Sequence, residues 1–253
     1  MSLPISAQEN DSTLFSVHYM ARLKRIAEQK ECKEEEKVLE VGKHRSCFYG
    51  RWKQYRKDLL DSLKQKGASK EKILSEVLSY PTPEENYAIY NNFSERGKRT
   101  VTDCIFKDFY YEEDIDTVAW QITDADTTFL GYHCNIAKCY YRNHTWTAYY
   151  TNEIPVSLGP WKLIGLPGLV LAAYDGTGDF SFECIEIRND KRPLKKPYLT
   201  KATKCSRQEI KQMFTDCEKD PEAFSERLGY GSKGMTADGK PIIYKPKTAI
   251  FID

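Results

Sequence analysis

Three pairs of aromatic- and β-branched-rich runs, each pair split by a short turn, fill the middle of this chain and limit it to a β-rich fold. Tyr87 to Phe93 and Thr100 to Tyr111 flank Ser94-Glu95-Arg96-Gly97; Phe129 to Tyr141 and Thr145 to Thr151 flank Arg142-Asn143-His144; Leu169 to Tyr174 and Phe180 to Ile187 flank Asp175-Gly176-Thr177-Gly178-Asp179. Runs of this kind bounded by turn residues read as strands. Hairpins that follow one another predict an antiparallel meander rather than parallel βαβ units. Leu14 to Leu23, Val38 to Tyr49 and the short Val118 to Thr123 read as further extended segments, and the charge-dense Ala27 to Lys37 as a loop or short helix.

The period changes at Gly50. Trp52, Tyr55, Leu59 and Leu63 fall at helical spacing, Gly67 stops that helix, and Ser69 is positioned to cap a second one carrying Ile73, Val77 and Leu78. Pro81 and Pro83 end it. Ser206 to Cys217 and Pro221 to Leu228 also read as helical, and Gly229 onward as a poorly structured tail. At 253 residues the chain is read as a single domain: a leader or disordered start over 1–11, a helical insertion over 50–80, a β-meander core over 87–188, and a helical C-terminal part with a tail over 200–253. The expected class is α+β and β-rich, a curved antiparallel sheet or open half-barrel with helices packed on one side.

Charge and motifs exclude more than they assign. The net charge is +1, so no basic surface for nucleic acid is implied. The basic run Lys191, Arg192, Lys195, Lys196 is broken by Pro193 and Pro197 and reads as a solvated loop. No run approaches the ~18 apolar residues of a membrane span. Met1-Ser2-Leu3 reads as a vector-derived leader ahead of a trimmed start. The eight cysteines include no CxxC pair; they are compatible with disulfides in an oxidising compartment and equally with buried thiols. Cys134 and Cys139 are expected not to pair, since one strand would hold them ~16 Å apart. The literal GxGxxG at Gly229, Gly231 and Gly234 has a helix before it rather than a strand, which is the wrong setting for a dinucleotide. His18, His44, His133 and His144 are too dispersed for a recognisable metal set, and no catalytic residue, metal or cofactor is assigned.

The segment from Tyr149 to Leu171 is apolar but punctuated by Pro155, Pro160 and Pro167 and by Gly159, Gly165 and Gly168, so it is neither a regular strand nor a regular helix. Leu166-Pro167-Gly168-Leu169 suits a type II turn with Gly168 at positive φ. Such a loop either plugs the core or offers an apolar lip to a ligand or partner. The residues singled out for binding are Tyr150, Glu153, Pro155, Trp161, Leu163, Ile164, Leu166, Pro167, Gly168 and Leu169.

Gly165-Leu-Pro-Gly-Leu-Val170 closely resembles the hexapeptide that names the GLPGLI family of Bacteroidetes-type bacteria. Trp120-Gln-Ile-Thr, Leu130-Gly-Tyr-His-Cys134, the segment ending at Pro155, and Gly159-Pro-Trp-Lys162 follow in family order. The resemblance is strong from Thr100 to Arg188 and weak before it; Val170 stands where isoleucine is usual and Tyr149 where tryptophan is frequent. It implies an exported protein of the periplasm or cell envelope, without an established activity, and supplies no catalytic residue. The expected function is binding of an apolar small molecule or an envelope protein partner. A hydrolase whose site the sequence does not reveal, or a structural accessory protein, stays open beside it.

Overall fold

The computed structural model describes residues 11–189, 191–230 and 244–253. The leader expected at the start lies outside these residues almost entirely, as do Gly231 and Gly234 of the glycine motif. Among the described residues twelve strands form one sheet. They are β1 (Phe15–Leu23), β2 (Lys33–Val41), β3 (Ser46–Gly50), β4 (Ala88–Asn91), β5 (Lys98–Ile105), β6 (Lys107–Asp114), β7 (Gln121–Phe129), β8 (Tyr132–Tyr141), β9 (His144–Thr151), β10 (Leu169–Asp175), β11 (Phe180–Arg188) and β12 (Thr203–Lys204). Four helices accompany them: α1 (Arg51–Gln65), α2 (Lys70–Leu78), α3 (Arg207–Lys219) and α4 (Pro221–Arg227).

The strand order is β12-β6-β5-β4-β3-β2-β1-β11-β10-β9-β8-β7. Two antiparallel meanders, β1 to β6 and β7 to β11, therefore join along β1 and β11, and only the short β12 runs parallel to its neighbour. The sheet is open, with β7 at one edge. It is also strongly curved. Phe48 of β3 and Phe182 of β11 lie three strand spacings apart, ~14 Å on a flat sheet, yet their ring centroids are 6.0 Å apart. Glu113 of β6 and Arg142 of the β8–β9 turn would be ~43 Å apart over nine flat spacings, yet they form a 3.3 Å ion pair.

The concave face holds the main core, in which Tyr19, Phe48, Ile89, Val101, Trp146 and Phe182 meet. Alternate residues Val38, Tyr49, Ala88 and Tyr90 build a smaller cluster on the outer face. The helices do not share one side, contrary to the expectation. Lys53, Gln54 and Lys57 of α1 border a cleft over Tyr49, Ala88 and Tyr90, whereas Ile210 and Phe214 of α3 face Ile89 and Val101. The cause is visible in β3, where all five residues are buried: both faces of the first meander are apolar and both need a cover.

Other expectations need correction. Thr100 to Tyr111 is two strands, because the chain doubles back at Phe106 with φ of 62°. Phe129 to Tyr141 is likewise interrupted, by a Leu130-Gly131 turn at φ of 49° and 83° between β7 and β8. Positive φ at both central residues matches the twist of a hairpin, but a leucine in that place does not announce it. The charged run from Ala27 to Lys37 is a loop only as far as Cys32: Lys33 opens β2, and Glu35 and Lys37 are buried on it. The basic segment is only partly solvated. Leu194 is buried against the outer cluster, Arg192 pairs with the buried Glu40 at 2.8 Å, and the Lys195 amide donates to the same carboxylate at 3.1 Å. All eight cysteines are free thiols, Cys134 and Cys139 among them. Within the expected tail, residues 247–253 are tied to the body of the protein, as the groove described next shows.

A candidate binding groove at the mouth of the concave face

The loop that carries most of the sequence-selected residues is held by close main-chain approach. A Cβ on Gly168 would overlap the Thr151 carbonyl, and one on Gly159 would lie 2.8 Å from the Val170 Cβ. Gly168 does not adopt positive φ, so the type II turn is wrong: the residues with positive φ are Gly165 at 102° and Trp161 at 54°. Gly168 leads straight into β10, where Leu169 pairs with Thr151, and it is the nearness of that neighbouring strand that excludes a side chain. The Leu169 amide donates to Ile154 at 3.0 Å, and the Trp120 indole donates to the Ile164 carbonyl at 2.8 Å.

The residues chosen from sequence separate into three groups. Tyr150, Leu163, Leu166 and Leu169 are buried in the concave core, and Gly168 is buried beside them. Glu153, Pro155 and Pro167 are exposed, Glu153 accepting from the His133 amide at 2.9 Å, and Ile164 is half-buried. Of the set, Trp161 borders the cavity between the concave sheet and α3. Its ring packs 5.6 Å from Tyr141 and 5.7 Å from Trp146, and its neighbour Lys162 enters the same space.

That cavity, of about 70 Å³, lies between the concave sheet, α3 and the strap Lys247–Asp253. The strap returns across the mouth as a short strand-like piece. Ala27 donates to Thr248 at 2.9 Å, Ile250 donates to Arg25 at 2.7 Å, and Ile26 bridges Ala249 antiparallel. Ile252 is buried in the main core. Asp253 then inserts its carboxylate among donors: Lys162 Nζ at 2.7 Å, the Tyr111 hydroxyl at 2.7 Å, and the guanidinium groups of Arg207 at 3.5 Å and Arg142 at 3.6 Å.

Lys162 is 1 % exposed, and such a cation persists in a fold only when paired. It bridges Asp253 and Glu113, each at 2.7 Å. Glu113 and Asp116 in turn bind Arg99 and Arg142, and Tyr141 donates to Asp116 at 2.8 Å. Burial by itself would raise the Asp253 carboxyl, but Lys162 and the Tyr111 hydroxyl outweigh it and hold the group below its ordinary value. Burial, then the nearby carboxylates, push the Tyr111 phenol well up, which keeps it a donor.

A second charged group stands at the far side of the cavity. Lys37 pairs with Glu35 at 2.9 Å and Glu85 at 3.7 Å, and Arg25 reaches Glu85 at 3.7 Å. Asp103 borders the cavity, and burial pushes its carboxyl up to about 6, with Lys53 only partly opposing. Among the described residues no group of three or more His, Cys, Asp or Glu is arranged to hold a metal ion. The sequence reading missed Lys162, Tyr111, Arg142 and the strap. Lys162 sat inside the Gly159-Pro-Trp-Lys segment, but a lysine reads as solvated until its partners are known, and these lie 49 and 91 residues away.

A family model described as "Protein of unknown function (Porph_ging)" matches residues 87–172, from the entry to β4 through most of β10. No curated protein matches the sequence. Two crystal forms of PNGF-II, in space groups P21 and C2, superpose with TM-scores of 0.51 at 12% and 13% identity, over 80% and 79% of this chain. The chain spans about a third of the length of those proteins, 32% in each case, so the likeness is one of fold. Residues 87–172, which include the glycine–proline loop and Lys162, are thus what this chain shares with a family of unknown function.

Proposed function

We propose that the chain is an exported binding protein of the periplasm or cell envelope, and that it recognises a protein partner at the mouth of its concave face. The observation that carries this reading is the convergence of Lys162, Tyr111, Arg142 and Arg207 on one carboxylate at the edge of an apolar cavity. Few oriented polar groups around an apolar wall are what a recognition site needs. A partner protein is favoured over an apolar small molecule because the cavity is about 70 Å³, while sites for small molecules run to ~300–1,000 Å³. The exported location rests on the GLPGLI resemblance; no helix among the described residues is long and apolar enough to cross a membrane.

The test is native mass spectrometry of the protein recovered from its own cells, beside Arg207→Glu. Arg207 is partly exposed at the groove, so reversing its charge removes one contact to Asp253 and leaves the Lys162–Glu113 and Arg99–Glu113 pairs in place. A co-purifying protein held by the native chain and lost from the variant is the expected result. Equal retention by both would place the partner elsewhere, and no retained partner would remove the reading.

A further inference from the structure

We infer that the strap Lys247–Asp253 is an internal occupant of this groove, and that the partner's contacting element is an extended segment of the same pattern, apolar residues at alternate positions followed by a carboxylate. The inference rests on the proposed partner-binding role and names what that partner presents.

Three features separate the strap from an ordinary piece of core. Its main chain is held as an added strand, through the Ala27 to Thr248 and Ile250 to Arg25 hydrogen bonds and the Ile26–Ala249 bridge. Main-chain pairing of this kind is indifferent to sequence, so any extended segment can repeat it. Its anchor is an acid held by groups that do not depend on it. Lys162 keeps Glu113 at 2.7 Å, Arg142 keeps Glu113 and Asp116, and the Tyr111 hydroxyl keeps Lys162 at 3.1 Å. The cationic nest is therefore assembled without Asp253, and a carboxylate is the charge it accepts. Finally, the strap leaves space unfilled, for Ile250 and Ile252 line the cavity of about 70 Å³ together with Trp161 and Phe214. A partner with a larger apolar side chain at either isoleucine position gains contacts that the strap leaves unmade.

The consequence is a binding surface kept covered until a better segment displaces its own. A resident occupant lowers the apparent affinity of a competitor by the fraction of time the groove is open.

The test uses a fluorescein-labelled synthetic peptide with the sequence of residues 248–253 and the full chain, native and Asp253→Ala. Ile250→Pro, which removes the donor to Arg25, serves as a second way to loosen the strap. Fluorescence anisotropy is expected to show binding at least about ten-fold tighter to both loosened variants than to the native chain. Replacing the peptide's aspartate by asparagine is expected to weaken binding about ten-fold, and replacing its first isoleucine by phenylalanine to strengthen it. A peptide that ignores the folded variants, or binds equally well without its carboxylate, overturns the inference. If the peptide fails while a co-purified partner is still lost from Arg207→Glu, the groove is a binding site and the strap is only its wall. If both fail, the groove is not a recognition surface.

Discussion

The Nε2 atom of His144 stands 2.9 Å from the carbonyl oxygen of Phe251, while its Nδ1 atom stands 3.2 Å from a carboxylate oxygen of Asp175. Both partners are acceptors within hydrogen-bond reach of the ring. His144 thus ties the strap to the β9–β10 region from the side opposite Arg25. His144→Ala is expected to speed hydrogen exchange at the Ile250 and Ala27 amides by about ten-fold, while global stability falls by only ~1–2 kcal/mol. Exchange measured by NMR checks it; unchanged protection at Ile250 would show that the strap does not depend on this contact.

Gly168→Ala is expected to cost more than Gly165→Ala. A Cβ at 168 meets the Thr151 main chain, which cannot step aside without breaking the β9–β10 pairing, so a loss of ~3 kcal/mol or more follows. At Gly165 the nearest atom is 3.7 Å away and only the positive φ is strained, a penalty of about 1 kcal/mol. Urea midpoints for the two variants in the reverse order would contradict the close-approach argument.

Trp161→Ala is expected to destabilise by ~3–5 kcal/mol, because the ring is buried between Tyr141 and Trp146. Its φ of 54° adds a second expectation. Trp161→Gly relieves that backbone strain, so it is expected to be no worse than Trp161→Ala despite removing one more carbon. Thermal melts of the pair decide this.

Asp103 gives the pH dependence a sign. Its folded value is raised to about 6 from 3.8, so the folded state holds the proton more tightly than the unfolded chain does. Stability therefore falls as pH rises through that interval and stays lowered above it. Asp103→Asn is expected to stabilise by an amount on the order of 3 kcal/mol at pH 7, shrinking to nothing below pH ~3. Denaturation curves recorded from pH 4 to 7.5 test it; a benefit that grows at low pH would reverse the sign and reject the assignment.

The hairpins whose turns carry asparagine, aspartate or glycine were legible from sequence. Arg142-Asn143 adopts left-handed backbone, and the Asp175–Asp179 turn is held by the Asp175 carboxylate accepting from Thr177 and Gly178. The turns at Phe106 and Leu130 were not, because exposed bulky residues stand there in a left-handed conformation they rarely adopt. The start of strand β2 was hidden for a different reason. Glu35 and Lys37 look solvated until they pair with each other and until Glu85, itself held by Arg25, arrives beside Lys37. The groove suffered the same loss: Trp161 stands out by its apolar ring, but Lys162 reads as solvated until Glu113 and Asp253 are placed beside it.

The seam between β1 and β11 joins the second meander's last strand to the first strand of the sheet, across more than 160 residues at its far end. Every other long strand pairs with a neighbour in sequence. Each half can therefore zip up by closing shorter loops, the longest being the helical 51–87 connection, whereas the seam must wait for the slowest search in the chain. Substitutions along it, such as Tyr19→Phe, which removes the donor to the Val170 carbonyl, should accelerate unfolding and leave the refolding rate nearly untouched. Kinetic resistance to degradation would then reside in a single ladder, and a protease challenging this protein would find the two halves parting there before either half came undone.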